Sequence, residues 1–256
     1  MRAVTFIFLA TFVFSASCTT ITEIRRDPAP PNTIFAERHV ATIFADATCD
    51  TLGFAESRGV GFFVGDGSIV VTVSHFYDKN YPLQNIKLAV IDATGKCFDG
   101  QALEFHRPPP DTIFVRVTAG HGSGLAFSDK RSEKDDIGYM YSYVPSPNKS
   151  YEPYDKLRRF NRVMIKVIDS IFNHEPGTRR FGAHPAGIQG ESGSPLINLK
   201  GEVMGMFQGI VTDPDGKEER YGVYVSGHYL KKMLDACKPC KKGQQNPSPN
   251  RRGIFY

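Results

Sequence analysis

The sequence predicts an all-β protein, and three observations carry that prediction. Short runs of β-branched and aromatic residues recur along the chain, Gly- and Asp-rich turn clusters separate them, and no long stretch of the first half repeats with a helical period. The runs are 33–35, 40–44, 60–64, 69–73, 86–91 and 111–117 in the first half, and 138–144, 162–168, 202–211 and 221–225 in the second. Gly65-Asp66-Gly67-Ser68 and Asp213-Pro214-Asp215-Gly216 have the composition of tight hairpin turns. Tyr229, Leu230, Met233 and Leu234 fall on one helical face and predict a short helix near the end.

Taken in order, residues 1–17 hold one basic residue, a short apolar core and small residues, the pattern of a secretory signal peptide and too short for a membrane span. Cys18 follows Ala16-Ser17 as in the lipobox of bacterial lipoproteins, although Ser15 departs from that pattern. Export is therefore expected, to a bacterial periplasm or as a lipoprotein held at a membrane through acylated Cys18, and otherwise as a secreted protein. Residues 18–32 are Pro-rich with few large apolar side chains and read as a tether. A first β unit then spans 33–128, the charged stretch 129–136 reads as a linker, a second β unit with the helix spans 137–236, and 237–256 reads as a tail.

The 256 residues carry 31 basic and 27 acidic side chains, a balance that gives no support to nucleic acid as a partner. Chemistry concentrates at Gly190-Glu191-Ser192-Gly193-Ser194-Pro195, where glycines around a serine make a sharp loop that exposes a hydroxyl and turns backbone N–H groups to one side. A serine hydroxyl is a poor nucleophile without a base, and the base needs a group to orient it. His75, where an apolar strand gives out, and Asp111, at the start of another, are the candidates. Singly, each has an ordinary structural explanation: a Gly-rich turn, a strand-end histidine, a turn-forming acid.

Together they resemble the trypsin/chymotrypsin-like serine peptidases, closest to the bacterial Deg-type branch. Residues 59–64 and 71–75 look like the segment leading to that family's base, 111–117 like the strand carrying its acid, 190–205 like its nucleophile loop, and 221–226 with the following helix like the closure of its second barrel. The resemblance spans roughly residues 40–236 and leaves no room beyond it for the PDZ domain of many Deg-type proteins. It implies two six-stranded antiparallel β-barrels with the site between them, and cleavage of protein or peptide substrates without metal or cofactor. By matched position Ser192 is the nucleophile, His75 the base and then acid, Asp111 its orienting group, and the N–H groups of Gly190 and Ser192 the oxyanion hole. Ala186, Gln208, Gly209 and Ile210 match substrate-binding positions. Ala186 in place of an acid, with Ile210 at the pocket mouth and His184 nearby, predicts cleavage after small or medium apolar residues.

Glu191 in place of Asp or Asn, Ser194 in place of Gly, and Ser74 before the base depart from the family. Two other readings stay open: a catalytically inactive barrel pair used for protein binding, and a serine esterase with the α/β-hydrolase order Ser192, Asp213, His228. Export favours a Cys49–Cys97 disulfide, and Cys237-Lys238-Pro239-Cys240 lies outside a redox-protein context and reads as a local structural disulfide. In the digestive members the acid before the nucleophile pairs with a terminus freed by cleavage. An acylated Cys18 offers no ammonium, so Glu191 is expected to stay in solvent or to find an internal partner such as Arg179 or Arg180, giving an oxyanion hole that forms without proteolytic activation.

Overall fold

Nearly continuous apolar runs such as Ile69-Val70-Val71-Thr72, rather than strict alternation, mean that many strands are buried on both faces, and the architecture accounts for it. The computed structural model describes residues 25–52, 58–75, 86–106, 111–145, 158–169, 180–188, 190–212 and 220–241. Strands β1 (Val40–Ala45), β2 (Arg58–Val64), β3 (Ile69–Thr72), β4 (Lys87–Ile91), β5 (Cys97–His106) and β6 (Thr112–Val117) close into one antiparallel barrel in the order β1-β2-β3-β6-β5-β4. Strands β7 (Ile137–Pro145), β8 (Arg158–Asp169), β9 (Arg180–His184), β10 (Pro195–Asn198), β11 (Val203–Thr212) and β12 (Arg220–Ser226) close into a second, in the order β10-β11-β12-β9-β8-β7. This is the two-barrel chymotrypsin-like fold.

Alternate residues serve different cores. Ile43, Phe63, Val70, Val90 and Val115 fill the first barrel, and Met140, Ile165, Leu196, Phe207 and Tyr224 the second. The opposite faces of β1, β2, β3 and β6 supply Val40, Phe62, Val71 and Phe114 to a third cluster that also holds Tyr139, Ile197, Val203 and Val225. That shared cluster welds the barrels together. Helix α2 (Gly227–Ala236) caps it with Leu230 and Met233.

Four stretches differ from the sequence expectation. Residues 33–35, read as a strand, fall in helix α1 (Pro31–Ile34) and the 3-10 turn Phe35–His39. Pro31 at the first helical position presets φ, and the Thr33 hydroxyl bonds back to Pro30 O at 2.8 Å, which closes the turn. Residues 25–32 of the expected tether lie against the second barrel, where Asp27 N donates to Arg162 O at 3.1 Å. Strands β5 and β9 have no counterpart among the predicted runs, because Asp99, Gly100 and Gln101 in one and Gly182 in the other interrupt the apolar pattern. Residues 237–241, assigned to the tail, hold helix α3 (Lys238–Lys241), with Cys237 and Cys240 buried and disulfide-bonded.

Cys49 and Cys97 are also bonded, with Cα atoms 5.8 Å apart. The bond ties the turn after β1 to the start of β5, and Cys49 N donates to Asp99 Oδ1 at 2.8 Å beside it. The stretch expected to be a signal peptide, Cys18 and Asp213 lie outside the described residues. Among the described residues no helix is long and apolar enough to cross a membrane. Removing a cross-link of this span raises unfolded-chain entropy, so replacing both Cys49 and Cys97 by Ser should lower unfolding free energy by about 2 to 4 kcal/mol. Denaturant midpoints measured without reductant check it.

Candidate active site

His75 and Asp111 are brought together by register. β3 and β6 are antiparallel with Thr72 opposite Ile113, so the residues just past Thr72 and just before Thr112 meet at one barrel edge. Asp111 Oδ1 accepts from Ser74 N at 3.0 Å and Ser74 Oγ at 2.5 Å, while Oδ2 takes His75 Nδ1 at 2.5 Å. Burial opposes ionisation of Asp111, but the hydrogen bonds from His75 and Ser74 outweigh it and hold its carboxyl below the ordinary aspartate value. An ionised Asp111 makes Nδ1 the protonated nitrogen and leaves the Nε2 lone pair free to take a proton. The histidine side chain is 42% exposed against 9% for the acid, so the base faces the cleft while its orienting group is withdrawn. Ser74, a departure from the family pattern, is the second holder of the acid.

The serine loop is folded by its glycines and by its own acid. Gly190 and Gly193 have φ of 95° and 93°, values that side-chain-bearing residues rarely adopt. Ser194 N donates to Glu191 O and Gly193 N to Phe207 O, at 3.0 and 2.8 Å. Across the cleft Val60 N, on β2, donates to Ser192 O at 3.0 Å. A Cβ on Gly193 would lie 1.8 Å from Val60 O, so only glycine permits this approach of the two barrels. Among the described residues neither the Gly190 nor the Ser192 N–H has an acceptor, leaving both available to a ligand oxygen.

Gln208 links the parts. β11 has a bulge between Phe207 and Gly209, and from there the Gln208 side chain reaches Asp111 O at 3.2 Å while its carbonyl accepts from Ser192 Oγ at 3.1 Å. Matched to a substrate-binding position in the sequence, Gln208 thus has its side chain committed to the acid's backbone. Ser192 Oγ is turned to Gln208 O, and among the described residues it shares no hydrogen bond with His75.

Glu191 finds internal partners rather than solvent, and among the described residues none of them is an arginine. It is 1% exposed, and its carboxylate accepts from Ser142 Oγ at 2.5 Å, Asn161 Nδ2 at 2.6 Å and Ile188 N at 2.8 Å. Arg180 makes no ion pair with it among the described residues, and Arg179 lies outside them. Neutral donors suffice because three of them converge on one carboxylate. Nothing in the sequence singles out Ser142 or Asn161, which are opposite each other in the β7–β8 register.

Beside the loop, a Cβ on Gly187 would lie 2.6 Å from Phe207 Cζ and one on Gly222 3.2 Å from its Cε2, so the Phe207 ring sits between these two glycines. Gly209 faces open space, Ala186 is half-buried and Ile210 is 42% exposed. The ring of His184 stands edge-on to Tyr221, 6.4 Å between centroids. His228, the base of the esterase alternative, lies on α2, and the barrels provide no α/β-hydrolase layout.

No family model matches the chain, and no curated protein matches its sequence. Solved structures share its fold. The serine endoprotease from Yersinia pestis superposes with a TM-score of 0.60 at 13% identity, over 85% of this chain and 69% of that one. The active form of the Rv3671c protease from M. tuberculosis gives 0.58 at 19% identity, over 86% and 94%. Its inactive form gives 0.57 at 18%, over 83% and 100%. At such identities the likeness is one of fold.

The lowered Asp111 pKa has a sign that can be checked. A carboxyl with a depressed folded pKa adds stability that is fully present above the unfolded value near 3.8 and is lost as pH falls through the folded value. The stability gap between wild type and Asp111→Asn should therefore be steady from neutral pH down to about pH 4 and narrow below it. Urea titrations across that range measure the gap.

Proposed function

We propose that this chain is an exported serine endopeptidase of the Deg-type branch that hydrolyses peptide bonds through an acyl-enzyme at Ser192. The observation that carries this reading is the chain of contacts through Gln208: its carbonyl holds the Ser192 hydroxyl, and its side chain holds the backbone of Asp111, whose carboxylate holds His75. In the resting site the serine proton points to Gln208 O. For reaction Oγ exchanges Gln208 O for His75 Nε2, which takes the proton as Oγ attacks the scissile carbonyl carbon. The resulting oxyanion is received by the free N–H groups of Gly190 and Ser192, an interaction worth about 3 to 4 kcal/mol in such sites. His75, positively charged and paired with Asp111, then gives the proton to the leaving amine, and water reverses the sequence to release the acid. Hydrogen bonds of this kind are often long or misdirected before substrate arrives, so the resting rotamer fits the role.

Gly190 and Ser192 N–H groups left without acceptors among the described residues favour catalysis over an inactive binding module. Past Phe207, whose N–H and carbonyl are taken by Ser194 and Gly193 of the serine loop, β11 is paired only with β12 among the described residues, so residues 209–212 offer an open edge on which an extended substrate can add as a strand. The two cysteine pairs suit an oxidising compartment, and the signal-like segment and Cys18 support delivery there, with lipid anchoring if Cys18 is acylated.

Purified protein should react with a serine-directed fluorophosphonate at Ser192. Because the three residues act as one unit, Ser192→Ala, His75→Ala and their combination should each abolish peptide hydrolysis to about the same residual rate. Losses that multiply in the double variant would count against the unit, and absence of labelling would remove the nucleophile.

Specificity follows from Phe207, whose ring limits the depth between Gly187 and Gly222, and from Ala186, which supplies no charge. Cleavage after Ala, Val or similar side chains should predominate in a peptide library, and Phe207→Ala should shift preference toward larger apolar residues. Dominant cleavage after Lys or Arg would contradict this pocket.

A further inference from the structure

Residues Arg25–Asp27 add a short parallel segment to β8. Arg26 bridges Arg162, Asp27 N donates to Arg162 O at 3.1 Å, and Arg162 N donates to Arg25 O at 2.8 Å. Asp27 accepts twice more, from Arg162 Nε at its carbonyl (2.6 Å) and from Met164 N at Oδ2 (2.9 Å). β8 pairs with β9 only from Lys166 onward, so the segment occupies an edge of β8 that no strand among the described residues covers.

One further contact of this strap reaches the site. Arg25 N donates to Asn161 Oδ1 at 2.9 Å, and the Nδ2 of the same amide donates to Glu191 Oε1 at 2.6 Å. Asn161 is 4% exposed. The two contacts fix its orientation: a flipped amide would set N–H against N–H at one end and oxygen against carboxylate at the other. An amide on the strap is therefore two hydrogen bonds from the carboxylate beside Ser192.

We propose that Asn161 is a positioning residue for the serine loop and that docking of Arg25–Asp27 along β8 is what orients it. The docked strap holds Asn161, Asn161 holds Glu191, and Glu191, closed on Ile188 N, sets the backbone that presents the Gly190 and Ser192 N–H groups. Without the strap the Asn161 amide is free to turn and Glu191 keeps only Ser142 and Ile188 as donors, which loosens the loop without emptying the core. This proposal rests on the reading of Ser192 as nucleophile.

The experiment compares the full-length chain with Arg25→Pro, which deletes the amide hydrogen, Arg25→Ala, which keeps it, Asn161→Ala, and the Arg25→Pro/Asn161→Ala double variant. Two readouts are taken: kcat and KM on a peptide substrate, and hydrogen exchange of the amides in 188–194. Arg25→Pro and Asn161→Ala should each lower kcat about 10- to 100-fold, the range expected for a misplaced oxyanion donor. KM should stay within about 2-fold, since binding along β11 is untouched. The double variant should fall no further than Asn161→Ala, Arg25→Ala should behave as wild type, and exchange in 188–194 should quicken in the slow variants alone. Wild-type kcat with wild-type exchange in Arg25→Pro and Asn161→Ala overturns the proposal, and so does a double variant whose losses multiply. If the unaltered chain fails to react with the phosphonate, the nucleophile assignment falls separately, and the exchange comparison still decides whether the strap sets the loop.

Discussion

A carboxylate buried with no cation beside it among the described residues is the constraint on which the site depends. Moving such a group out of water costs several kcal/mol unless hydrogen bonds replace the lost hydration. Glu191 meets that demand with donors from three places, β7, β8 and its own loop. Ile188 and Glu191 also bond reciprocally, since Glu191 N returns a hydrogen bond to Ile188 O at 3.2 Å. Ile188 and Glu191 are thereby tied to each other, and Gly190 takes a positive φ that favours glycine. Because Ser142 and Asn161 are direct cross-strand partners, the β7–β8 register delivers both donors at once. A slip of one residue would turn both away and leave the charge unsatisfied.

A second constraint is that the residues proposed to react come from different barrels. His75 and Asp111 belong to the first, Ser192 to the second, and any play between the barrels becomes an error in the geometry of proton transfer. Three features suppress it. The shared core cluster packs the faces of both barrels together, the Val60–Ser192 hydrogen bond fixes the loop to β2, and Gln208 spans from β11 to Asp111. Glycine stands at this join for a steric reason: Gly193 approaches the backbone of Val60 more closely than any Cβ allows.

What the sequence discloses of this arrangement follows from where each role is encoded. The strands with unbroken apolar runs are legible because burial on both faces leaves a strong signal, whereas β5, with Asp99, Gly100 and Gln101 in succession, leaves almost none. Ser192 stands out through its flanking glycines, and His75 and Asp111 through their places at strand ends. Ser74, Ser142, Asn161 and Gln208 do not, since each is an ordinary polar residue whose role comes from what lies across a strand pair or beyond a bulge. The pairing of Arg25–Asp27 is illegible for a deeper reason. It binds largely through its backbone, which every residue carries, so composition points to a tether where the fold makes a strand-like contact.

The neutrality of the Glu191 anchorage has a chemical consequence. Where an acid beside the nucleophile is held by a terminal ammonium, the anchor exists only after a cut frees that terminus, and it weakens as the amine loses its proton near pH 8. Amide and hydroxyl donors do not titrate in that range and exist in the uncut chain. A contact made by an internal N–H is indifferent to whether the terminus upstream is free, blocked or acylated. Control then moves from chemistry to conformation: the oxyanion loop is set by whether a segment is docked, and docking can be opposed by anything that pulls on or binds the chain ahead of Arg25. A tethered terminus and a strap that completes the site are thus compatible in one molecule, because the tie between them is a backbone hydrogen bond rather than a charge.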